Sequence, residues 1–234
     1  MSLAKLGFFA VLATIVAHAP QVANKDLANR VEASYAETQI SPAIPLPIQS
    51  ENPELLGVGK ILVASRGLGD PHFAQTVILL VQYDTDGVIG LILNRRTELP
   101  VSRVLGDYKA AKDRSDTVYF GGPVDSQQIW ALRKSLPAKL DGATQICHGV
   151  YQIATKAQLE QTLSDRVVPK AFHVYLGDAG WHVDQLRKEM ELGAWFVFPG
   201  DAGTVFNSDP DFLWPQMIRI TELQMARKEP VDAN

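Results

Sequence analysis

From residue 60 onward the chain alternates short runs of β-branched and aliphatic residues with clusters of turn formers. Residues 60–65 and 76–83 are two such runs, separated by Gly67-Leu68-Gly69-Asp70-Pro71. Asp84-Thr85-Asp86-Gly87 then supplies a turn before a third run at 88–94, which predicts a β-hairpin. Val101, Val104, Leu105 and Tyr108 have helical spacing, and short strands are expected at 117–120, 128–133 and 144–153. Thr155 and Gln158 have the capping-box spacing, in which a hydroxyl and an amide satisfy the free donors of a helix start. They predict a helix over 155–164 that packs through Leu159 and Leu163. Phe172, Val174 and Leu176 alternate with His173 and Tyr175, as in a strand buried on one face. Leu186 and Met190 mark a further helix that Gly193 can end, 194–198 reads as the last strand, and Asp209-Pro210 offers a cap and first residue for a C-terminal helix that Pro215 would disturb. Hairpin-linked strands followed by irregularly spaced helices give an α+β class, without the regular alternation of a parallel α/β fold.

The first 54 residues have a different character. Lys5 precedes an apolar run, 6–17, too short for the roughly 20 residues that cross a bilayer as a helix. With the small-residue tripeptide Ala17-His18-Ala19 it has the form of a secretory signal at 1–19, although Pro20 is an awkward residue to follow a cleavage site. No cysteine follows the run, so the readings are a cleaved signal, a retained membrane tether, or a start-site artefact. Leu27, Val31 and Tyr35 give a narrow apolar stripe, after which Pro42, Pro45 and Pro47 stiffen the chain, so 20–54 is expected to be a partly helical, Pro-rich linker. The domain is expected at 55–227, with a tail at 228–234.

Composition narrows the choices. The 234 residues are 46% hydrophobic and 21% charged, enough for a real core and too apolar for general disorder. The net charge is −4, but 55–227 carries 18 basic and 19 acidic residues, 18 − 19 = −1. That excludes a strongly basic polyanion binder. The single cysteine excludes an intrachain disulfide, and no CxxC pair is present for a structural zinc site.

Several groups could carry chemistry. Gly121-Gly122-Pro123 lies between two expected strands and opens no helix, so a tight turn is favoured over a phosphate cradle. Gly177-Asp178-Ala179-Gly180-Trp181 is expected to join a strand end to a helix start, where Asp178 and His182 could face each other as an acid/base or metal pair. The competing reading has Asp178 capping backbone donors and Trp181 filling the core. His72 lies near Asp70, and the five scattered histidines show no HxH or HExxH spacing. Cys147 and His148 are neighbours in a β-like run and so point to opposite faces, poorly placed as a dyad. Ser65-Arg66-Gly67 is half of a nucleophile elbow. Arg95, Arg96, Arg103, Lys109, Lys112 and Arg114 cluster in sequence but are diluted by Glu98, Asp107, Asp113 and Asp116. No metal and no cofactor are expected.

Lys60-Ile61-Leu62-Val63-Ala64, Leu68, Asp70-Pro71-His72-Phe73, Gly90-Leu91-Ile92-Leu93-Asn94-Arg95, Gly121-Gly122-Pro123-Val124, Gly177-Asp178-Ala179-Gly180-Trp181, Gln185-Leu186 and Trp195 occur in the order that resembles the YqgE/AlgH family of bacterial proteins, over about 55–214. The resemblance implies an α+β fold with a flattened, barrel-like sheet surrounded by helices. It also implies a proposed role in transcriptional control of alginate production and no established catalytic activity. Ser65-Arg66, Tyr83, Arg96 and Asp178 depart from the family's usual residues at those places.

The reading that follows is a non-enzymatic binding or regulatory protein, with a protein partner favoured and membrane contact only through the N-terminal segment. One alternative is a small-ligand or hydrolytic pocket at 65–73, 121–125 and 177–182. Its candidate residues are Asp70, His72, Asn94, Gly121, Gly122, Asp178, Trp181 and His182. A second alternative is a transcriptional regulator, which requires a cytoplasmic protein able to reach nucleic acid, whereas a working signal places the protein outside the cytoplasm.

Overall fold

The computed structural model describes residues 55–134 and 142–228; the signal and the linker expected before residue 55 lie outside the described residues. Among the described residues there are ten strands: β1 Lys60–Ala64, β2 Val77–Asp84, β3 Gly87–Ile92, β4 Arg96–Pro100, β5 Thr117–Phe120, β6 Val124–Lys134, β7 Thr144–Cys147, β8 Val150–Gln152, β9 Phe172–Trp181 and β10 Trp195–Pro199. The helices are α1 Val101–Val104, α2 Lys156–Ser164, α3 Val183–Glu191, α4 Ala202–Phe206 and α5 Pro210–Lys228.

The main path of the sheet runs β10-β1-β2-β3-β9-β6-β8-β7. Neighbours along it are antiparallel; the exception in the sheet is β5, which pairs with β9 in parallel and with β4 antiparallel. The ten residues of β9 make it the hub. Its first half lies between β6 and β5, and its second half pairs with β3. The sheet curls until its two ends approach. The His148-Gly149 turn between β7 and β8 bridges to Asp201, and Ala202 N–H donates to the His148 carbonyl at 3.1 Å. The result is a curled half-barrel with helices packed around it, the expected α+β class.

Two apolar clusters lie on opposite sides of β9. Tyr175, Trp181, Trp195 and Phe198 belong to the larger, with β1, β2, β3, α3 and α5. Phe172 and Val174 belong to the smaller, with Val101, Leu105, Ala131, Ile153 and Leu163. The alternation at 172–176 predicts one solvated face, but both faces are covered, because the second is closed by the chain beyond β10.

Other elements differ from expectation for local reasons. The helix expected through Tyr108 stops at Val104 and gives way to turns and a 3-10 turn at Lys109–Ala111, since Gly106-Asp107 interrupts it. The run at 144–153 is two strands, folded back at Gly149, which has φ +72°. Thr155 and Gln158 form the reciprocal capping box. Helix α5 passes through Pro215: the hydrogen bond lost there would end on Asp211, which is exposed and can use water. Its buried stripe is Leu213, Trp214, Met217, Ile218 and Thr221, and Trp214 Nε1 donates to the Ala64 carbonyl at 2.7 Å. Among the described residues no helix is long and apolar enough to cross a membrane.

Candidate functional site

A cavity of about 410 Å³ opens where β4, β5 and the start of β9 meet the connection from α4 to α5. Its wall is a fan of rings. Tyr119 of β5 lies 4.6 Å from His173 of β9, centroid to centroid, and His173 lies 4.9 Å from Phe206 at the end of α4. Polar groups surround the fan: Arg96 from β4, Asp116 before β5, Lys170 from the turn before β9, and Asn207 and Asp209 before α5. Aromatic walls with a few convergent polar groups are typical of small-molecule sites.

Electrostatics sort these groups. Burial holds His173 down at about 4, outweighing the nearby Asp116 carboxylate, so its imidazole is neutral near pH 7. Its Nδ1 lies 3.4 Å from the Tyr175 hydroxyl. Burial also raises the Tyr119 and Tyr175 phenols. Asp116 is committed to Arg114 at 2.7 Å, a pair in which both side chains are largely buried. Arg96 and Asp209 make only a loose pair at 3.7 Å. Asn207 accepts through its side-chain oxygen from Lys134 Nζ at 3.2 Å, which leaves its amide N–H groups as donors.

The residues singled out from sequence lie elsewhere. Asp70 accepts from His72 N–H at 2.8 Å in an exposed turn. Asn94 accepts from Val77 N–H at 2.8 Å and donates to the Gln75 carbonyl at 2.9 Å, bracing the same turn, and Arg95 donates to the Ala74 carbonyl at 3.3 Å. Gly121 and Gly122 pack directly on β9: a Cβ at Gly121 would overlap the Gly177 carbonyl, and one at Gly122 would overlap the Asp178 backbone. The space that glycine leaves is therefore filled by the chain itself. Residues 177–181, expected as a loop, continue β9 to its end, because Val124, Gly90, Ile89 and Val88 pair with Asp178, Ala179, Gly180 and Trp181.

Asp178 is buried, accepts from Trp130 Nε1 at 3.1 Å, and has its carboxyl raised by burial. His182 is exposed at the start of α3, and no hydrogen bond or ion pair joins it to Asp178. Trp181 is buried, stacked on Phe73 at 5.3 Å, and donates through Nε1 to Glu189 at 3.2 Å; Trp195 donates to the same Glu189 oxygen at 2.9 Å. The structure thus joins Gly121, Gly122 and Asp178 in one packed seam and Asp70, His72 and Asn94 in one turn. It leaves His182 apart.

Burial pushes the Cys147 thiol up to about 12, so it stays protonated. Arg66 is paired with Glu222, and the sequence cluster of cations is dispersed over β4, α1 and the following turns. Among the described residues no three His, Cys, Asp or Glu side chains could hold a metal ion. Tyr119, Phe206 and Asn207 carry no sequence signal of a site. His173 carries one, an imidazole within an apolar alternation.

Comparison with known proteins bears on the whole domain. The AlgH-like family model matches residues 61–226. A UPF0301 protein of Chlorobaculum tepidum is 32% identical over 168 residues, 71% of this chain and 87% of the relative. A UPF0301 protein of Streptomyces avermitilis is 31% identical, covering 74% of this chain and 92% of the relative. Among solved structures, a crystal structure of a Corynebacterium diphtheriae protein superposes with TM-score 0.59 at 22% identity, over 76% of this chain and 89% of that one. The solution structure of AlgH from Pseudomonas aeruginosa superposes with TM-score 0.56 at 23% identity, over 84% and 100%. These two likenesses concern the fold alone.

Proposed function

The chain belongs to the AlgH-like family, and on that premise we propose that its 55–227 domain is a non-enzymatic binding protein whose ligand site is the ring-walled cavity at Tyr119, His173 and Phe206. The supporting observation is the cavity's own chemistry: a concave volume of about 410 Å³ lined by aromatic and polar groups without a catalytic set. A base held down at about 4 is poorly matched to proton transfer near neutral pH. None of the lining hydroxyls, Ser115, Thr117, Tyr119 or Ser208, is hydrogen-bonded to His173. The alternative pocket at 65–73, 121–125 and 177–182 draws less support, since Trp181 and the glycine seam fill that region.

A second reading concerns compartment. The pattern of 1–19 favours export of the domain behind a linker at 20–54, and an exported protein has no access to a promoter. The engagement of Arg66 and Arg114 in ion pairs further weakens a nucleic-acid face. Fractionation and sequencing of the mature N-terminus decide this: a new terminus near residue 20 outside the cytoplasm supports export, whereas an intact cytoplasmic chain returns the regulator reading.

The binding reading is tested by screening the full chain against a fragment library by two-dimensional NMR, with an ester and phosphoester turnover assay in parallel. Fragment-induced shifts at Tyr119, His173 and Phe206 without turnover support it. Turnover that disappears in Asp178→Ala or His182→Ala, with the fold retained, overturns it.

A further inference from the structure

The cavity's unused hydrogen-bonding groups point to one ligand class. Of the charged groups at and just behind the wall, Arg96, Arg114 and Lys170 are positive and Asp116 and Asp209 negative, 3 − 2 = +1. Arg114 and Asp116 close on each other, and Asp209 also accepts from Asp211 N–H at 3.2 Å as the cap of α5. The carboxylates are thus engaged within the protein. The donors are held more loosely: Lys170 has no ion-pair partner among the described residues, Arg96 meets Asp209 only at 3.7 Å and otherwise lies against the Tyr119 hydroxyl, and Asn207 turns its oxygen to Lys134 and keeps its N–H groups. His173, neutral, adds no second positive charge to the wall. Donor excess with one uncompensated positive charge suits a single negative charge, and a guanidinium suits the fork of a carboxylate.

The rings define the remainder of the molecule. Tyr119, His173 and Phe206 pack on one another at 4.6 and 4.9 Å, with Tyr119 and Phe206 buried, so a flat, apolar body can lie only against the ring edges that line the cavity. We propose that the cavity binds a small planar monoanion, an aromatic carboxylate of one or two rings, with the carboxylate at Arg96 and Asn207 and the ring against Tyr119, His173 and Phe206. This rests on the cavity being the ligand site and adds the charge and shape of what it takes.

The test uses the full chain and six probes: benzoate and indole-3-carboxylate, their neutral amides benzamide and indole-3-carboxamide, acetate, and the trimethylanilinium cation. Affinities come from titration calorimetry, and the site comes from the Tyr119 and His173 side-chain resonances. The expected result is that the two aromatic acids bind about tenfold or more tightly than their amides, with acetate and the cation weaker still. Arg96→Gln should abolish that preference while leaving amide binding in place. Tyr119→Ala should weaken acids and amides together, and Tyr119→Phe, which keeps the ring, should restore both. Arg66→Gln, away from the cavity, should change nothing. Amides or the cation binding as well as the acids, with shifts at His173, would overturn the anion assignment and leave the cavity reading standing. Silence of the Tyr119 and His173 resonances with all six probes would overturn both.

Discussion

His173 shows how burial fixes the chemistry of one side chain. An ordinary histidine titrates near 6.5, but between Tyr119 and Phe206 this one is held at about 4. The unfolded chain therefore binds a proton that the folded chain refuses between those values. Stability from this group is complete above pH 6.5 and is lost as pH falls toward 4, by an amount on the order of 3 kcal/mol. Chemical denaturation of the wild type and His173→Phe across pH 7.5 to 4 should show a steeper acid loss in the wild type; parallel slopes would mean that His173 is not so perturbed. Glu189 is the other residue with more work than its sequence context suggests, since one of its oxygens accepts from both Trp181 and Trp195. Glu189→Ala leaves two indole donors without a partner, and a loss of about 2–4 kcal/mol is expected. Glu189→Gln retains an acceptor and should lose clearly less, which urea unfolding followed by tryptophan fluorescence can measure.

Among the elements, β9 was only partly legible. Its first five residues alternate visibly, but Gly177 and Gly180 read as a turn. Gly177 continues the strand at φ +69°, where the 121–122 connection and Val124 press so closely that a side chain has no room, and Gly180 continues it by pairing with Ile89. The same packing accounts for much of the motif set that carries the family resemblance: glycine and tryptophan at 90, 121, 122, 177, 180 and 181 shape a seam. Gly122→Ala should accordingly be severely destabilising or prevent folding, because its Cβ would meet the Asp178 backbone. Gly69→Ala, whose Cβ meets nothing within 4 Å, should shift the melting temperature little. Comparable melting temperatures for the two variants would contradict this packing. Capping chemistry was the most readable feature, as the Thr155–Gln158 box shows, because it depends on local spacing. The β7–β8 hairpin was missed because His148-Gly149 is an inconspicuous turn inside a β-branched run.

At the scale of the whole molecule, the curl of the sheet makes the candidate site. Bringing His148 to Asp201 closes the sheet's ends, and Lys134 holds Asn207. Together these lay residues 206–209 across the face of β5 and β9 that carries Tyr119 and His173. The α+β class, most strands and three of the helices follow from patterns within a few residues of each other. The cavity could not be read that way, since Arg96, Tyr119, Lys170, His173 and Asn207 meet only through closure of the fold and form no motif in the chain. The central claim, that this closure creates a ligand site, is tested most directly by titrating benzoate into isotope-labelled full-length protein and following every assigned resonance. The account predicts saturable shifts centred on Tyr119, His173, Phe206 and Asn207. Shifts centred instead on residues 70–73 and Trp181, or none at saturating benzoate, would contradict it.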